Sequence, residues 1–170
     1  MGKVLETKGK TTWVQLSGQA YWCKLFESNM DRDENFAPGG QTMLQLSASP
    51  DTLKVMGQVK ASLSPKMVAD KAGVPDGMYL TLRRKFTHPS IPSKGGVPRV
   101  VDADGNPWDS SQLIWNGAEI EAIVEVYEYG NQGRKGCRLE AVKILQNGEE
   151  PEDYIPRDGD AEDTAANLPF

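Results

Sequence analysis

The chain has 170 residues, with 24 acidic residues against 19 lysines and arginines and a formal net charge of −5 at pH 7. That length suits one domain of ordinary size with an appendage. No apolar stretch approaches the roughly 20 residues of a membrane-spanning helix, and residues 1–10 lack the apolar segment of a signal peptide. The two cysteines, Cys23 and Cys137, lie far apart, so we expect a reduced intracellular protein.

Six segments have the residue pattern of β-strands. Aromatic and β-favouring residues bounded by turn formers predict strands at residues 20–26, 42–46, 78–87, 97–102, 118–129 and 136–145. The glycine-rich stretch G-N-Q-G-R-K-G joins the last two strands and predicts a hairpin. The turn D-A-D-G-N-P after the fourth strand predicts a smaller one. The domain is therefore expected to be mainly β.

A helical pattern interrupts these strands between the second and the third. Ser49-Pro50-Asp51 supplies an N-cap, a proline at the first helical position and an acid in the first turn. Apolar residues then recur at helical spacing at Leu53, Met56, Val59 and Leu63. Ser64-Pro65 repeats the start signal, and Gly73 suits the end of a helix. One helical connection is predicted here.

Alternation along a strand predicts which side chains share a face. In the first predicted strand, one face is expected to carry Tyr21, Cys23 and Leu25, and the other Trp22, Lys24 and Phe26. In the third, one face is expected to carry Leu80, Leu82, Arg84 and Phe86, and the other Tyr79, Thr81, Arg83 and Lys85. Each strand would then present rings and cations together on one side.

The residues that enzymes need are sparse. The single histidine, His88, precedes a proline, and the sequence has no zinc-binding spacing, no phosphate-binding P-loop and no nucleophile elbow. Asp102, Asp104 and Asn106 resemble the start of a calcium loop, but Pro107 stands where that loop needs glycine. A tight turn is the better interpretation, and we expect neither an enzyme nor a metal site.

Basic residues interleave with aromatic ones along the chain. Residues 83–99 contain five bases and no acid. Single-stranded nucleic acid suits this combination, because cations follow the phosphates and exposed rings stack on unpaired bases. The alternative is that the rings fill a β core, as expected for Trp115 and Phe86. The candidate DNA-binding residues are Trp22, Lys24, Phe26, Tyr79, Arg83, Lys85, Lys94, Arg99, Tyr127, Arg134, Lys135 and Arg138.

The charge is distributed unevenly. Residues 149–170 hold eight acids and one base, a net charge of −7, which leaves +2 for residues 1–148. The acidic segment is too poor in apolar residues to fold alone, yet it carries Leu168, Pro169 and Phe170. A tail that served solubility alone would not need this apolar tip, so the pattern favours attraction to the basic body or to a partner.

The last predicted hairpin has the sequence W-N-G-A-E-I-E-A-I-V-E-V-Y-E-Y-G-N-Q-G-R-K-G-C-R-L-E-A-V-K-I-L. This stretch resembles the final hairpin of the tailed-phage single-stranded DNA-binding proteins. Its matching positions are Gly136, Leu139, Ala141, Val142 and Leu145. A-Y-W-C-K-L-F resembles that family's first barrel strand, and P-R-V-V-D-A-D-G-N-P-W its middle hairpin. An acidic segment closed by an aromatic residue is a second point of likeness, although here two alanines and an asparagine separate the acids from the tip.

The resemblance implies an OB-fold, an open five-stranded Greek-key barrel with a helical connection and an extra hairpin, over residues 1–148, followed by a disordered acidic tail at 149–170. It implies coating of single-stranded DNA without strong sequence preference in phage replication, recombination and repair, in the cytoplasm of the infected bacterium and without a cofactor. It also implies recruitment of replication proteins such as DNA polymerase and helicase-primase by the tail, and some members of the family dimerise. The tail residues concerned are Asp160, Glu162, Asp163, Leu168 and Phe170.

Two other functions remain open at the level of sequence. A β module that binds an acidic protein partner would use the same basic face without any nucleic acid. A metal-dependent nuclease would pair Glu121 with Glu125, although carboxylates on an exposed strand face are more often solvated charges.

Overall fold

A computed structural model describes residues 2–35, 37–59, 66–68, 74–75, 77–130 and 133–152. Within these ranges lie eight strands: β1 (Lys3–Lys8), β2 (Thr11–Lys24), β3 (Gln41–Ser47), β4 (Lys66–Val68), β5 (Gly77–Lys85), β6 (Arg99–Asp102), β7 (Ala118–Tyr129) and β8 (Arg134–Gln146). One α-helix, α1 (Pro50–Gln58), follows β3, and a short 3-10 helix spans Pro92–Lys94. The prediction of a mainly β domain is confirmed.

The strands form one sheet in the order β4-β5-β3-β2-β7-β8-β6, and β1 pairs with the first part of β2. Every neighbouring pair from β5 to β8 is antiparallel. The two ends of this five-strand path, β5 and β8, therefore run in the same direction and contact each other. The result is the partly open five-stranded barrel of an OB-fold, and β6 extends it by pairing in parallel with the second half of β8.

The core lies inside this barrel and is made by alternate residues of its strands. Each buried leucine or valine side chain contributes about 1.5–3 kcal/mol relative to an exposed one. Among the described residues, the largest fully buried side chains are Val14, Leu16, Leu25, Leu44, Leu46, Leu80, Leu82, Ile120, Val124, Val126, Leu139 and Val142. Cys23 and Cys137 pack against the same core, and burial raises the pKa of these thiols to about 12 and about 11, respectively.

Arg84 spans the seam of the barrel, where the two end strands, β5 and β8, meet. The residue is 7% exposed and lies on the inward side of β5. The guanidinium donates to the carbonyl oxygens of Ser93, Gly95 and Leu139 at 2.8–3.3 Å and pairs with Glu140 Oε1 at 3.3 Å. One cation therefore ties β5 to β8 and fixes the loop that contains the 3-10 helix.

The helix begins where its sequence signals predict. Ser49 Oγ accepts a hydrogen bond from the Thr52 amide at 3.2 Å, Pro50 is the first helical residue, and Val55 and Met56 are buried. The helix ends at Gln58 with Val59 as its C-cap, so the prediction that Val59 lies within the helix is wrong. The predicted continuation to Leu63 and the end at Gly73 lie outside the described residues. The second start signal, Ser64-Pro65, predicted a helix in the residues that follow. This prediction is wrong, because Lys66–Val68 form a strand that pairs with β5.

The first predicted barrel strand is longer and less regular than expected. It begins at Thr11 rather than at residue 20, since residues 11–20 pair with β7. The predicted division of faces in residues 20–26 is wrong, because the register with β3 shifts between Tyr21 and Lys24. Cys23 and Phe26 contact the main core, whereas Tyr21 and Trp22 join a separate cluster with Val74 and Tyr79.

The other strand predictions are confirmed: β7 has the predicted bounds, and the bounds of β3, β5, β6 and β8 shift by at most two residues. In β5 the alternation is as expected, with Leu80, Leu82 and Arg84 buried. The turn after β6 is also confirmed, because Asp102 Oδ1 accepts from the amides of Asp104 and Asn106 at 2.9 Å.

Neighbouring arginines on β5 should differ sharply in their effect on stability. Arg84→Ala leaves several carbonyls and Glu140 without their cation, so we expect the free energy of unfolding to fall by about 3 kcal/mol. Arg83→Ala, one residue away but exposed, should change it by less than about 0.5 kcal/mol. Urea denaturation of both variants measures the difference, and equal losses would show that Arg84 does not hold the seam.

Candidate nucleic-acid interface

The outward sides of β2, β3 and β5 form one surface near the end of β2. Its residues follow cross-strand pairs: Lys24 lies opposite Met43, and Met43 lies opposite Arg83. The adjacent row contains Tyr21, Gln45 and Thr81, and Thr81 Oγ1 donates to Gln45 Oε1 at 2.9 Å. We call this surface, together with Lys85 at the end of β5, the β2–β3–β5 face.

Three cations on this face point toward solvent. Arg83 and Lys85 are exposed and Lys24 is half-buried. The ion pairs found among the described residues join other side chains and include none of these three. Within the part of the chain that the structure describes, the charges of these three residues are therefore available to an anionic ligand.

An aromatic cluster borders the face. The rings of Tyr21 and Tyr79 meet edge to face with centroids 5.5 Å apart, and Val74 and Trp22 pack against them. Tyr79 is 3% exposed and donates to the Pro75 carbonyl oxygen at 2.6 Å. Burial, and next to it the charge of Glu119, raises the pKa of Tyr21. The structure thus places the Tyr79 ring beneath the surface, in the cluster against which the half-buried Trp22 packs.

Trp22 has a backbone conformation that a bulky residue rarely adopts. Its φ of 49° is positive, which among the described residues is otherwise true only of glycines. Such a conformation costs about 1–3 kcal/mol and persists only where the surroundings impose it. The Trp22 amide donates to Asn116 Oδ1 at 2.8 Å. Phe26, which sequence alternation placed beside Trp22, instead lies half-buried against the main core.

A second group of predicted site residues lies at the β7–β8 hairpin. The Arg138 guanidinium carbon stands 4.4 Å from the centre of the Tyr127 ring, a cation–π contact. A Cβ added to Gly136 would lie 2.6 Å from that ring, so the ring covers the glycine. Lys135 Nζ donates to the Val59 carbonyl oxygen at 2.9 Å, and Arg134 is exposed at the start of β8.

Tyr129 is a residue that the sequence analysis did not select. It is 48% exposed, and its ring centroid lies 6.2 Å from that of Tyr127. Its position two residues after Tyr127, beside the glycine-rich turn, was the available signal. It offers a more open ring for stacking than Tyr21, Tyr79 or Tyr127.

Lys94 and Arg138 are committed to an ion-pair cluster around Glu125. Glu125 is 3% exposed and pairs with Lys94 at 3.0 Å and Arg138 at 3.2 Å. Burial opposes its ionisation, but a hydrogen bond from Glu140 and the two cations outweigh burial and lower the Glu125 pKa. Burial, followed by the bond to Glu125 and its charge, raises the pKa of Glu140. Lys94 and Arg138 therefore act within the fold.

Arg99 lies apart from both groups. It is exposed on β6, opposite Ala141, and borders a cleft of about 260 Å³ on the outward side of β6, β7 and β8. Lys143 and Glu121 line the same cleft, and the Glu121 carboxylate accepts a hydrogen bond from Gln15.

Some predictions concern features that the structure tests only in part. The tail residues Asp160, Glu162, Asp163, Leu168 and Phe170 lie outside the described residues. Over the ranges that are described, no three His, Cys, Asp or Glu side chains cluster as metal ligands would. No helix in those ranges is long and apolar enough to cross a membrane.

Comparisons with known proteins point to one fold. No protein-family model matches the chain, and no curated protein matches it significantly. Among solved structures, it is similar to the single-stranded DNA-binding protein from bacteriophage Enc34, with a TM-score of 0.53 and 14% identity over 94% of this chain and 99% of that chain. A C-terminal truncation of the Enc34 protein gives the same TM-score and identity over 88% of this chain and 97% of that chain. At this identity the likeness is one of fold, and the fold implied by the sequence resemblance is confirmed.

Proposed function

We propose that this chain binds single-stranded DNA on the β2–β3–β5 face, without strong sequence preference and without a cofactor. The observation that carries the proposal is the row Lys24–Met43–Arg83 on the outer surface of an OB barrel. This row places one cation on each side of an apolar side chain. The strand faces of OB-folds are where many of these domains bind oligonucleotides. The fold neighbour from Enc34 is itself a single-stranded DNA-binding protein.

The chemistry of the row suits a flexible polyanion with exposed bases. Neighbouring strands lie about 4.8 Å apart, so Lys24 and Arg83, two strands apart, sit roughly 10 Å from each other. Phosphates would contact these cations and Lys85, while a base rests on the polarizable thioether of Met43. Because cations and apolar contacts do not distinguish base edges, binding would depend little on sequence.

The β7–β8 hairpin extends this proposal. Tyr129 offers an open ring and Arg134 an exposed cation, whereas Tyr127 is already covered by Arg138. The Lys135–Val59 hydrogen bond ties the hairpin to the end of α1. Lys135 and Arg138 therefore hold the hairpin in place, and Tyr129 and Arg134 would meet the nucleic acid.

The proposal predicts that oligo-dT affinity falls with salt, and that removing single cations from the face weakens this salt dependence. If about 3–5 phosphates are neutralised, log K for oligo-dT should fall against log salt with a slope of roughly −2 to −4. Lys24→Ala, Arg83→Ala and Lys85→Ala should each reduce the magnitude of that slope by about 0.7. Fluorescence anisotropy of labelled oligo-dT across a salt series measures both quantities.

Lys143→Ala is the matched control, since it removes one positive charge from the outward side of β8, away from the face. It should leave the slope unchanged. A flat salt titration of the native chain would refute DNA binding by this face and favour the protein-interaction module. Magnesium-dependent loss of the oligonucleotide would instead indicate a nuclease.

We further propose that residues 149–170 act as a tail with two roles and that residues 1–148 form the DNA-binding domain. With a net charge of −7, the tail is a tethered polyanion beside a body of net charge +2. Tethering gives it an effective concentration in the millimolar range, so it competes with DNA for the cationic face at low salt. Leu168 and Phe170 offer an apolar anchor for a replication partner such as DNA polymerase or helicase-primase.

Two deletions separate these roles. Removal of residues 149–170 should tighten oligo-dT binding at low salt and abolish binding of the purified replication partner. Removal of Phe170 alone should weaken partner binding and leave oligo-dT affinity within error, because the acidic charges remain. If the long deletion bound oligo-dT no more tightly than the native chain at low salt, competition by the tail would be disproved.

A further inference from the structure

The register of β2 changes at the point where the strand reaches the β2–β3–β5 face. Ala20 pairs with both Ala118 of β7 and Leu46 of β3, and the next ladder pairs with β3 are Tyr21–Gln45 and Lys24–Met43. Two residues, Trp22 and Cys23, therefore stand between pairs that are two positions apart on β3. This is a β-bulge with one extra residue on the longer strand.

The bulge decides the direction of every residue after it. Ala20 points inward, so strict alternation would also turn Trp22 and Lys24 inward. The observed register instead puts Lys24 opposite the outward Met43 and leaves Cys23 and Leu25 against the core. Without the bulge, Lys24 would point into the barrel, and the row with Arg83 would lose one of its two cations.

The segment that enters β7 holds the bulge. Asn116 Oδ1 accepts the Trp22 amide at 2.8 Å, and the Gly117 amide, at φ 90°, donates to the Ala20 carbonyl oxygen at 2.9 Å. These bonds grip β2 on either side of Tyr21. The first is made to the residue with the strained φ of 49°, so the Asn116 carboxamide compensates for a conformation that tryptophan does not favour.

We propose that Asn116 is a positioning residue for nucleic-acid binding: its side chain maintains the Trp22 bulge and thereby brings Lys24 onto the DNA-binding face. Asn116 acts through the backbone of Trp22 and itself contacts no phosphate. This inference rests on the proposed function, because the register matters for DNA binding only if the row Lys24–Met43–Arg83 contacts the DNA.

The salt dependence of oligo-dT binding separates positioning from a general effect on stability. Asn116→Ala should reduce the slope of log K against log salt by about 0.7, the loss of one phosphate contact, and weaken binding by the same factor as Lys24→Ala. Combining the two substitutions should add nothing, because both remove the same contact. A merely structural loss would lower the melting temperature and leave the slope as it is in the native chain.

Two further variants make the test specific. Asn147→Ala removes comparable bonds in the same connection, since the Asn147 side chain accepts from the Trp115 amide at 2.9 Å and donates to the Leu113 carbonyl oxygen at 3.0 Å. It should reduce stability without changing the slope. In a Trp22→Gly background, glycine adopts positive φ without support, so adding Asn116→Ala should leave the slope of the Trp22→Gly variant unchanged.

A measurement without DNA distinguishes failure of this inference from failure of the proposed function. Cross-strand NOEs between Lys24 and Met43 should disappear in Asn116→Ala and persist in the Trp22→Gly/Asn116→Ala double variant. If the NOEs behave in this way but the native chain does not bind oligo-dT, the proposed function fails and the register control stands. If Asn116→Ala keeps the NOEs and the native slope, Asn116 does not position Lys24 and the inference is overturned.

Discussion

The barrel depends on one constraint, the sharing of β2 between two neighbours. Residues 11–20 of this strand pair with β7, and from Ala20 onward it pairs with β3. A strand that serves both halves of a barrel must turn where it changes partner, and a bulge supplies that turn. The change falls between Tyr21 and Lys24, where the outward surface gains a cation. The bulge at which β2 changes its partner is therefore also the feature that places Lys24 on the candidate interface.

The pleat of β5 gives neighbouring basic residues different roles. Arg84 points inward and holds the seam through Ser93, Gly95, Leu139 and Glu140, whereas Arg83 and Lys85 point outward and are exposed. A similar division occurs elsewhere, since Lys94 and Arg138 neutralise the buried Glu125. Three of the eight candidate cations, Lys94, Lys135 and Arg138, thus have partners within the protein. Of the remaining five, Arg99 lies apart on β6, and the others are found on β2 and β5 and at the β7–β8 hairpin.

Local signals in the sequence predicted part of this arrangement. The hairpin of β7 and β8 follows from two alternating segments around a glycine-rich turn, and α1 begins at Pro50 because Ser49 caps it. The edge strand β1 was missed because all six of its residues are exposed and show no buried face. The Trp22 bulge was also missed, since the Trp22 amide donates to Asn116, a residue 94 positions away along the chain. The same limit applies to Lys94, whose partner Glu125 is 31 residues distant and is recognised only after folding.

The most direct test of the account is a map of backbone amide shifts on titration with oligo-dT. If the β2–β3–β5 face binds the strand, the largest shifts should fall on Lys24, Met43, Thr81, Arg83 and Lys85, with a second set at Tyr129 and Arg134. The amides of Arg99, Val101 and residues 141–143, which line the cleft beside β6 and β8, should remain unchanged. Shifts concentrated on that cleft, or no shifts with saturating oligo-dT, would contradict the assignment of the face.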